Sequence, residues 1–157
     1  SMLSAYEPDT EVMKGPATLE TVDSQANLHI TETPEDFYKV EMDFQISENT
    51  RMFGIRLFED PETGDSYKYE VNLAENRIYF DRTPNQPWYR YFDKGLERPI
   101  HLEAGRKYHA RLIVDDSIDG VSLIARMHAK AGCDLSAYVI DGSLKIENIT
   151  IAKSLRS

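Results

Sequence analysis

A group of aromatic and arginine side chains in the middle of the chain carries the strongest chemical signal in the sequence. Aromatic faces stack on sugar rings, and planar guanidinium and carboxylate groups make paired hydrogen bonds to hydroxyls. The pattern therefore predicts carbohydrate binding, whereas Arg56 lies outside the group and is expected to contribute little. The predicted binding residues are Arg82, Trp88, Tyr89, Tyr91, Glu97 and Arg98.

The same residues also have a structural interpretation. Residues 83–99 contain three prolines and a glycine and are predicted to form one long irregular connection, the kind of loop that is often functional. Its aromatic content argues against disorder. In the alternative interpretation, Trp88 and Phe92 close the end of the fold. The arginines then pair with Asp81, Asp93 and Glu97.

Catalysis is predicted to be absent. Glycoside hydrolysis needs two carboxylates about 5 to 9.5 Å apart across a cleft. Glu41 and Asp43 are two residues apart on one predicted strand, so their side chains point to the same face, as such a pair would. Their spacing is similar to the Glu-x-Asp-x-x-Glu strand of family 16 glycosidases, but Gln45 and Ile46 stand where the third carboxylate belongs. Without that proton donor, a solvated strand face is the better interpretation.

The sequence also contains no motif that predicts a metal site, a cofactor site or a catalytic nucleophile. No histidine has a second one at metal-ligand spacing, and the single cysteine, Cys133, excludes an internal disulfide and disfavours structural zinc. An acidic neighbour, Asp134, would raise the pKa of its thiol rather than activate it. The acidic turn at residues 59–65 could cup calcium, although a hairpin tip is the favoured interpretation. No cofactor is predicted.

Charge and hydropathy exclude two classes of partner. Eighteen Lys and Arg residues against 27 Asp and Glu residues give a formal net charge of −9, which repels nucleic acid and anionic membrane surfaces. No stretch approaches the roughly 20 apolar residues that span a bilayer, and no signal peptide is evident. The cellular location therefore stays open.

Strict alternation of apolar and polar residues recurs along the chain and is typical of half-buried strands. Such runs appear at residues 37–46, 53–57, 67–73, 78–81, 108–114, 121–127, 135–139 and 144–151, with weaker candidates at 17–22 and 27–30. Short turns separate them, which predicts an all-β fold: a two-sheet antiparallel β-sandwich of the jelly-roll or concanavalin-like kind, with a closed barrel as alternative.

The domain organisation is predicted to be simple. Residues 1–15 lack periodicity and read as a linker or terminal arm, and residues 16–157 form a single β-sandwich domain. The loop-like start suggests a domain excised from a longer chain. In the last strand the apolar parity shifts near Glu147 and Asn148, which predicts a β-bulge.

Residues 53–155 resemble the C-terminal β-sandwich module of glycoside hydrolase family 32, the invertase, levanase and fructanase family. The resemblance depends on the order of several short motifs rather than on any one of them. They are Phe53-Gly54-Ile55, Tyr67-x-Tyr69, Ile78-Tyr79-Phe80-Asp81-Arg82, Glu97-Arg98-Pro99, the segments 112–118 and 123–127, and a closing strand after Asp141-Gly142.

The resemblance implies an accessory domain without its enzyme. In that family the catalytic carboxylates lie in an amino-terminal propeller, and none of its motifs occurs here. Such modules support the propeller of the same parent chain, mediate dimer contacts or bind fructan. The expectation is thus a noncatalytic carbohydrate-binding domain of a fructan- or sucrose-active enzyme, with a homodimer as one expected assembly. The alternative is a structural or oligomerisation domain that binds no sugar.

Overall fold

The structure, a computed structural model, describes residues 5–32, 37–83, 98–114 and 133–155, with the backbone alone at 81–83. The described part of the chain contains strands and turns only, as the alternating pattern predicts. The strands are β1 (Thr10–Met13), β2 (Ala17–Glu32), β3 (Tyr38–Ile46), β4 (Met52–Glu59), β5 (Ser66–Asn72), β6 (Arg77–Thr83), β7 (Arg98–Pro99), β8 (Tyr108–Val114) and β9 (Asp134–Lys153).

All nine strands join in one curled antiparallel sheet with the order β7-β6-β5-β4-β9-β3-β8. The first half of β9 pairs with β4 and its second half pairs with β3. β2 runs along the opposite edge of β9, followed by β1. The long strand β9 therefore contributes to both layers, and the predicted antiparallel β-sandwich class is confirmed.

The bend in β9 lies at Asp141 and Gly142, which both have positive φ, at 59° and 114°. The sequence predicts a turn between two strands here, but β9 continues through the bend, and β2 pairs with it on both sides of a register shift between Thr21 and Gln25. Thr50 stabilises the corner, because its Oγ1 donates to the Ser143 oxygen at 2.6 Å and accepts from the Ser143 nitrogen at 3.2 Å. A local pattern cannot distinguish a bent strand from a hairpin.

The predicted bulge near Glu147 and Asn148 is confirmed. Asn148 has a φ of 55°, and the pairing with β3 shifts between the Glu41–Thr150 and Asp43–Glu147 partners. The extra residue returns the apolar side chains to the interior after the shift in parity.

The core lies between the two layers, where the apolar parity of each strand is buried. Its fully buried members include Tyr38, Val40, Tyr67, Leu135, Leu144, Ile146 and Ile149. The two weaker predicted strands form the single strand β2, and β1 docks on β9. The predicted strand at residues 121–127 lies outside the described residues.

No helix in the described ranges is long and apolar enough to cross a membrane.

Candidate functional site

The structure describes only part of the predicted binding group. Trp88, Tyr89, Tyr91 and Glu97 lie outside the described residues. Arg82 is paired with Tyr67 near the end of β6, and Arg98 is exposed in β7, opposite Ile78.

The two arginines stand at opposite ends of β6. Ile78 and Arg82 are four residues apart along the strand, which corresponds to about 13 Å at the rise of an extended chain. Arg82 and Arg98 are therefore not neighbours in the sheet. A ligand that contacts both must extend along β6.

The outer face of β2, β9, β4 and β5 carries a polar group that we call the Arg56 cluster. It arises because the alternation in β4 turns Phe53 and Leu57 to the core and Arg56 to the outer face. Pairing then places Arg56 beside Ser136 of β9 and Lys68 of β5. The members of the Arg56 cluster are Asn27, Arg56, Glu59, Glu70 and Tyr138.

A bulge in β4 brings Glu59 to the same face as Arg56. The pairing with β9 shifts between Arg56 and Glu59, and Phe58 within the shift has a φ of 53°. Positive φ is unusual for a bulky residue, and such conformations concentrate at functional sites. Because of the bulge, Glu59 accepts a hydrogen bond from Ser136 Oγ at 2.9 Å and lies beside Arg56.

Tyr138 forms the floor of the cluster. Its ring lies over Gly54, where a side chain would collide with the phenol, and it is fully buried. The Tyr138 hydroxyl donates to Glu70 Oε1 at 2.8 Å. The Arg56 guanidinium carbon lies 4.1 Å from the Tyr138 ring centroid, in a cation–π contact.

Polar contacts fix the rest of Arg56. Its Nη1 donates to Asn27 Oδ1 at 2.7 Å, and its Nε is 3.9 Å from Glu59 Oε2. The Arg56 side chain is 10% exposed and the Glu59 side chain 22%. The cluster therefore presents a guanidinium together with two carboxylates, a set of donors and acceptors that can hydrogen-bond a polar ligand.

A second polar group lies on the outer face of β3 and β8. His109 Nε2 is 3.0 Å from Glu41 Oε1, and His109 Nδ1 is 2.9 Å from Asp43 Oδ1. Asp43 also accepts from Asn148 Nδ2 at 2.9 Å. Both carboxylates of the predicted solvated strand face are thus engaged by a cross-strand histidine.

These contacts change the protonation of all three groups. The hydrogen bonds to Glu41 and then Asp43 raise the pKa of His109. The bond from His109 lowers the pKa of Glu41, and the pKa of Asp43 is lowered first by Asn148 and then by His109. The group is therefore an ion-paired strap between two strands.

The acidic turn forms a hairpin tip. Gly64 N donates to Asp60 O at 2.8 Å, and Asp60 Oδ1 caps the Glu62 amide at 2.9 Å. In the described part of the chain, no group of three or more His, Cys, Asp or Glu side chains could hold a metal ion.

Sequence reasoning missed the Arg56 cluster, although two signals pointed to it. Arg56 and Tyr138 both occupy the polar parity of their strands, and Tyr138 is a large aromatic on that parity. The pairing that joins them and the bulge that adds Glu59 cannot be deduced from either strand alone.

Comparison with known families assigns the module. The family model described as glycosyl hydrolases family 32 C terminal matches residues 10–118, more than half of the chain. The chain therefore belongs to this family. Its domain is the non-catalytic C-terminal module, and the catalytic domain of these enzymes is a separate propeller. The resemblance noted from the sequence is confirmed.

Solved structures share the fold at low sequence identity. Carbohydrate binding module CBM66 from Bacillus subtilis matches with a TM-score of 0.53 and 14% identity, covering 91% of this chain and 94% of that one. Exo-inulinase from Aspergillus awamori matches at 0.52 and 13%, covering 98% and 31%. Fructosyltransferase from A. japonicus matches at 0.51 and 10%, covering 93% and 26%.

The chain thus spans almost all of the binding module but only about a quarter to a third of the two enzymes. A search of curated protein sequences returns no match.

Proposed function

We propose that this chain is a carbohydrate-binding accessory module of a fructan- or sucrose-active enzyme. The observation that carries the proposal is the Arg56 cluster, a guanidinium stacked on a tyrosine between two carboxylates on an outer sheet face. A planar donor beside carboxylate acceptors matches the hydroxyl groups of a sugar. The bulge at Phe58, which has a φ of 53°, places Arg56 and Glu59 side by side on this face, and strained backbone of this kind is concentrated at functional sites.

The similar structures support the sugar class. One is named a carbohydrate binding module, and others are an exo-inulinase and a fructosyltransferase. At their low identity they show the fold alone, so fructose-ended sugars are the first ligands to test rather than an established specificity.

The proposed binding residues remain Arg82, Trp88, Tyr89, Tyr91, Glu97 and Arg98. Of these residues, Arg82 lies in β6, where its backbone pairs with Tyr67 of β5, and Arg98 lies in β7. The strand β5 lies between β6 and β4, so Arg82 and the Arg56 cluster belong to one sheet.

Affinity is expected to be weak. A shallow site offers one aromatic stack and a few charge-assisted hydrogen bonds against the entropy of association, so the Kd should be on the order of 0.1 to several mM. Isothermal titration calorimetry with fructose, inulin and levan measures it. Saturable heat with a fructan supports the proposal, and no heat with any of the three refutes it.

Two variants and a control locate the binding. Trp88→Ala and Arg98→Ala should each weaken binding about tenfold, because they remove a stacking surface and a planar donor. Arg106→Ala is the matched control for Arg98→Ala, since Arg106 is also exposed and contacts nearby Glu103 and the Tyr108 ring, away from the proposed binding residues. Unchanged affinity in both test variants would move the site away from these residues.

Association with the catalytic propeller of the same parent chain is part of the proposal, as is self-association. Ile113 is 50% exposed on β8, the last strand in the described sheet order. An exposed apolar side chain on an outer strand favours a contact between modules. Sedimentation should show weak dimerisation that Ile113→Thr reduces; a strict monomer at high concentration would contradict it.

A further inference from the structure

We propose that the Arg56 cluster is a subsite for two adjacent hydroxyl groups of a neutral sugar. The inference rests on the proposed function, and it assigns a specific part of the ligand to specific residues. It also replaces the expectation from sequence that Arg56 contributes little to carbohydrate binding.

The first argument is the unused hydrogen-bonding capacity of Arg56. A guanidinium carries five N–H donors, and a side chain that is nine-tenths buried normally satisfies them. Among the described residues, Arg56 makes one hydrogen bond, from Nη1 to Asn27 Oδ1. Its Nε lies 3.9 Å from Glu59 Oε2, which is too far for a hydrogen bond. The guanidinium that carries the remaining donors lies over the Tyr138 ring, which limits its movement.

The second argument is the pairing of donors with acceptors. Glu59 and Glu70 each accept one hydroxyl hydrogen bond, from Ser136 and Tyr138, and each carboxylate has further acceptor positions. A sugar hydroxyl both accepts and donates, so it can accept from Arg56 and donate to a carboxylate. A ligand with acceptors only cannot use this arrangement.

The third argument is charge. Glu59, Glu70 and the nearby Asp134 carry three negative charges, whereas Arg56 and Lys68 carry two positive charges. A phosphate or carboxylate ligand would meet a net negative environment and lose part of its hydration. A neutral diol avoids that repulsion, which selects the chemical class of the ligand.

The rim of the cluster offers access from the β2 side. Asn27 is exposed, and its Oδ1 accepts from both Arg56 and Gln25 Nε2, the latter at 2.9 Å. That pairing leaves the Asn27 Nδ2 amide without a partner among the described residues. His29, 58% exposed, lies next along the same face. These side chains extend the polar surface from the buried guanidinium to solvent.

The test couples one residue to one part of the sugar. Calorimetry or ligand-observed NMR would measure binding of methyl β-fructofuranoside and each of its monodeoxy derivatives to the wild type, Arg56→Lys and Glu59→Gln. Lysine keeps the charge but loses the planar fork. We expect Arg56→Lys to weaken binding of the parent sugar about tenfold, and to cause little further loss for the deoxy derivative that lacks the contacted hydroxyl.

The outcomes separate the two proposals. Wild-type binding that neither variant changes, or that Arg56→Lys weakens equally for every derivative, would overturn the subsite while leaving carbohydrate binding intact. Absence of binding to the wild type would overturn both. Arg106→Lys is the control for the arginine change, and Glu59→Gln keeps the test valid if Arg56→Lys fails to fold, since the glutamine retains the shape of the carboxylate.

Discussion

Replacing Gly54 by alanine tests whether the floor of the Arg56 cluster is built as described. A Cβ at this position would overlap the backbone oxygen of Tyr69 and lie 2.6 Å from Tyr138 Oη and 2.7 Å from Tyr138 Cζ. Ordinary carbon contacts begin near 3.5 Å, so the Tyr138 ring must move by almost 1 Å. The backbone oxygen cannot move in the same way, because β4 and β5 are paired on both sides of it.

The cost has two parts. Forcing a methyl group into a packed interior costs about 1 to 3 kcal/mol, and loss of the Tyr138–Glu70 hydrogen bond, which has a charged acceptor, costs about 1.5 to 3 kcal/mol. We therefore expect Gly54→Ala to lower the free energy of unfolding by about 2.5 to 6 kcal/mol. That is a large share of the stability of a small domain.

Urea denaturation monitored by circular dichroism measures this change, and the chain provides its own control. An alanine Cβ at Gly15 would have no atom within 4 Å. Gly15→Ala should therefore be neutral or stabilise slightly, by reducing the entropy of the unfolded chain. Substitutions that disturb no packing usually change the free energy of unfolding by less than about 0.5 kcal/mol. A change that small in Gly54→Ala would refute the packing of Tyr138 over Gly54.

Three further predictions concern other parts of the molecule. His109→Gln should destabilise the protein by about 1 kcal/mol or less, since the ion pairs of His109 with Glu41 and Asp43 are exposed to solvent. Because the pKa of His109 is raised in the folded state, these ion pairs stabilise the protein fully below about pH 6.5, and the stabilisation disappears as the pH rises through the folded pKa. The lowered pKa values of Glu41 and Asp43 remove the same contribution as the pH falls, so denaturation curves should show the largest difference from wild type in mildly acidic buffer, and a pH-independent difference would contradict the strap. Gly142→Ala should lower the melting temperature by several degrees, because φ is 114° and the new Cβ would overlap Thr50; an unchanged melting curve would refute the corner. The isolated chain should release no reducing sugar from sucrose, inulin or levan, and turnover abolished by Glu41→Gln or Asp43→Asn would overturn the assignment as a non-catalytic module.

The alternation of apolar and polar residues along the sequence is sufficient to predict most strands of the fold. Alternation predicts the strands, and the shift of apolar parity from Leu144 and Ile146 to Ile149 and Ile151 predicts the bulge at Asn148. These features depend on neighbours in sequence. The bend at Gly142 has the same local signal as a turn between two strands, and only the pairing of β2 with β9 on both sides of the bend shows that the strand continues.

The polar groups depend on contacts between distant residues, which the sequence alone does not specify. Arg56 meets Asn27 and Tyr138 only after β4, β2 and β9 have paired in one register. His109 likewise meets Glu41 and Asp43 only through the pairing of β8 with β3. The type of each residue shows which interactions it can make, whereas the residues it contacts can be identified only once the pairing of the strands is known.

The measurement that tests the central claim most directly is an NMR titration of the chain with a short levan oligosaccharide. The amide and Arg56 Nε–H signals of the protein would be followed together with the sugar signals. We predict saturable shifts at Arg56 and its neighbours with a Kd on the order of 0.1 to several mM, while the sugar stays intact for hours. Protein signals that do not move, or a sugar that is hydrolysed, would contradict a module that binds fructan without cleaving it.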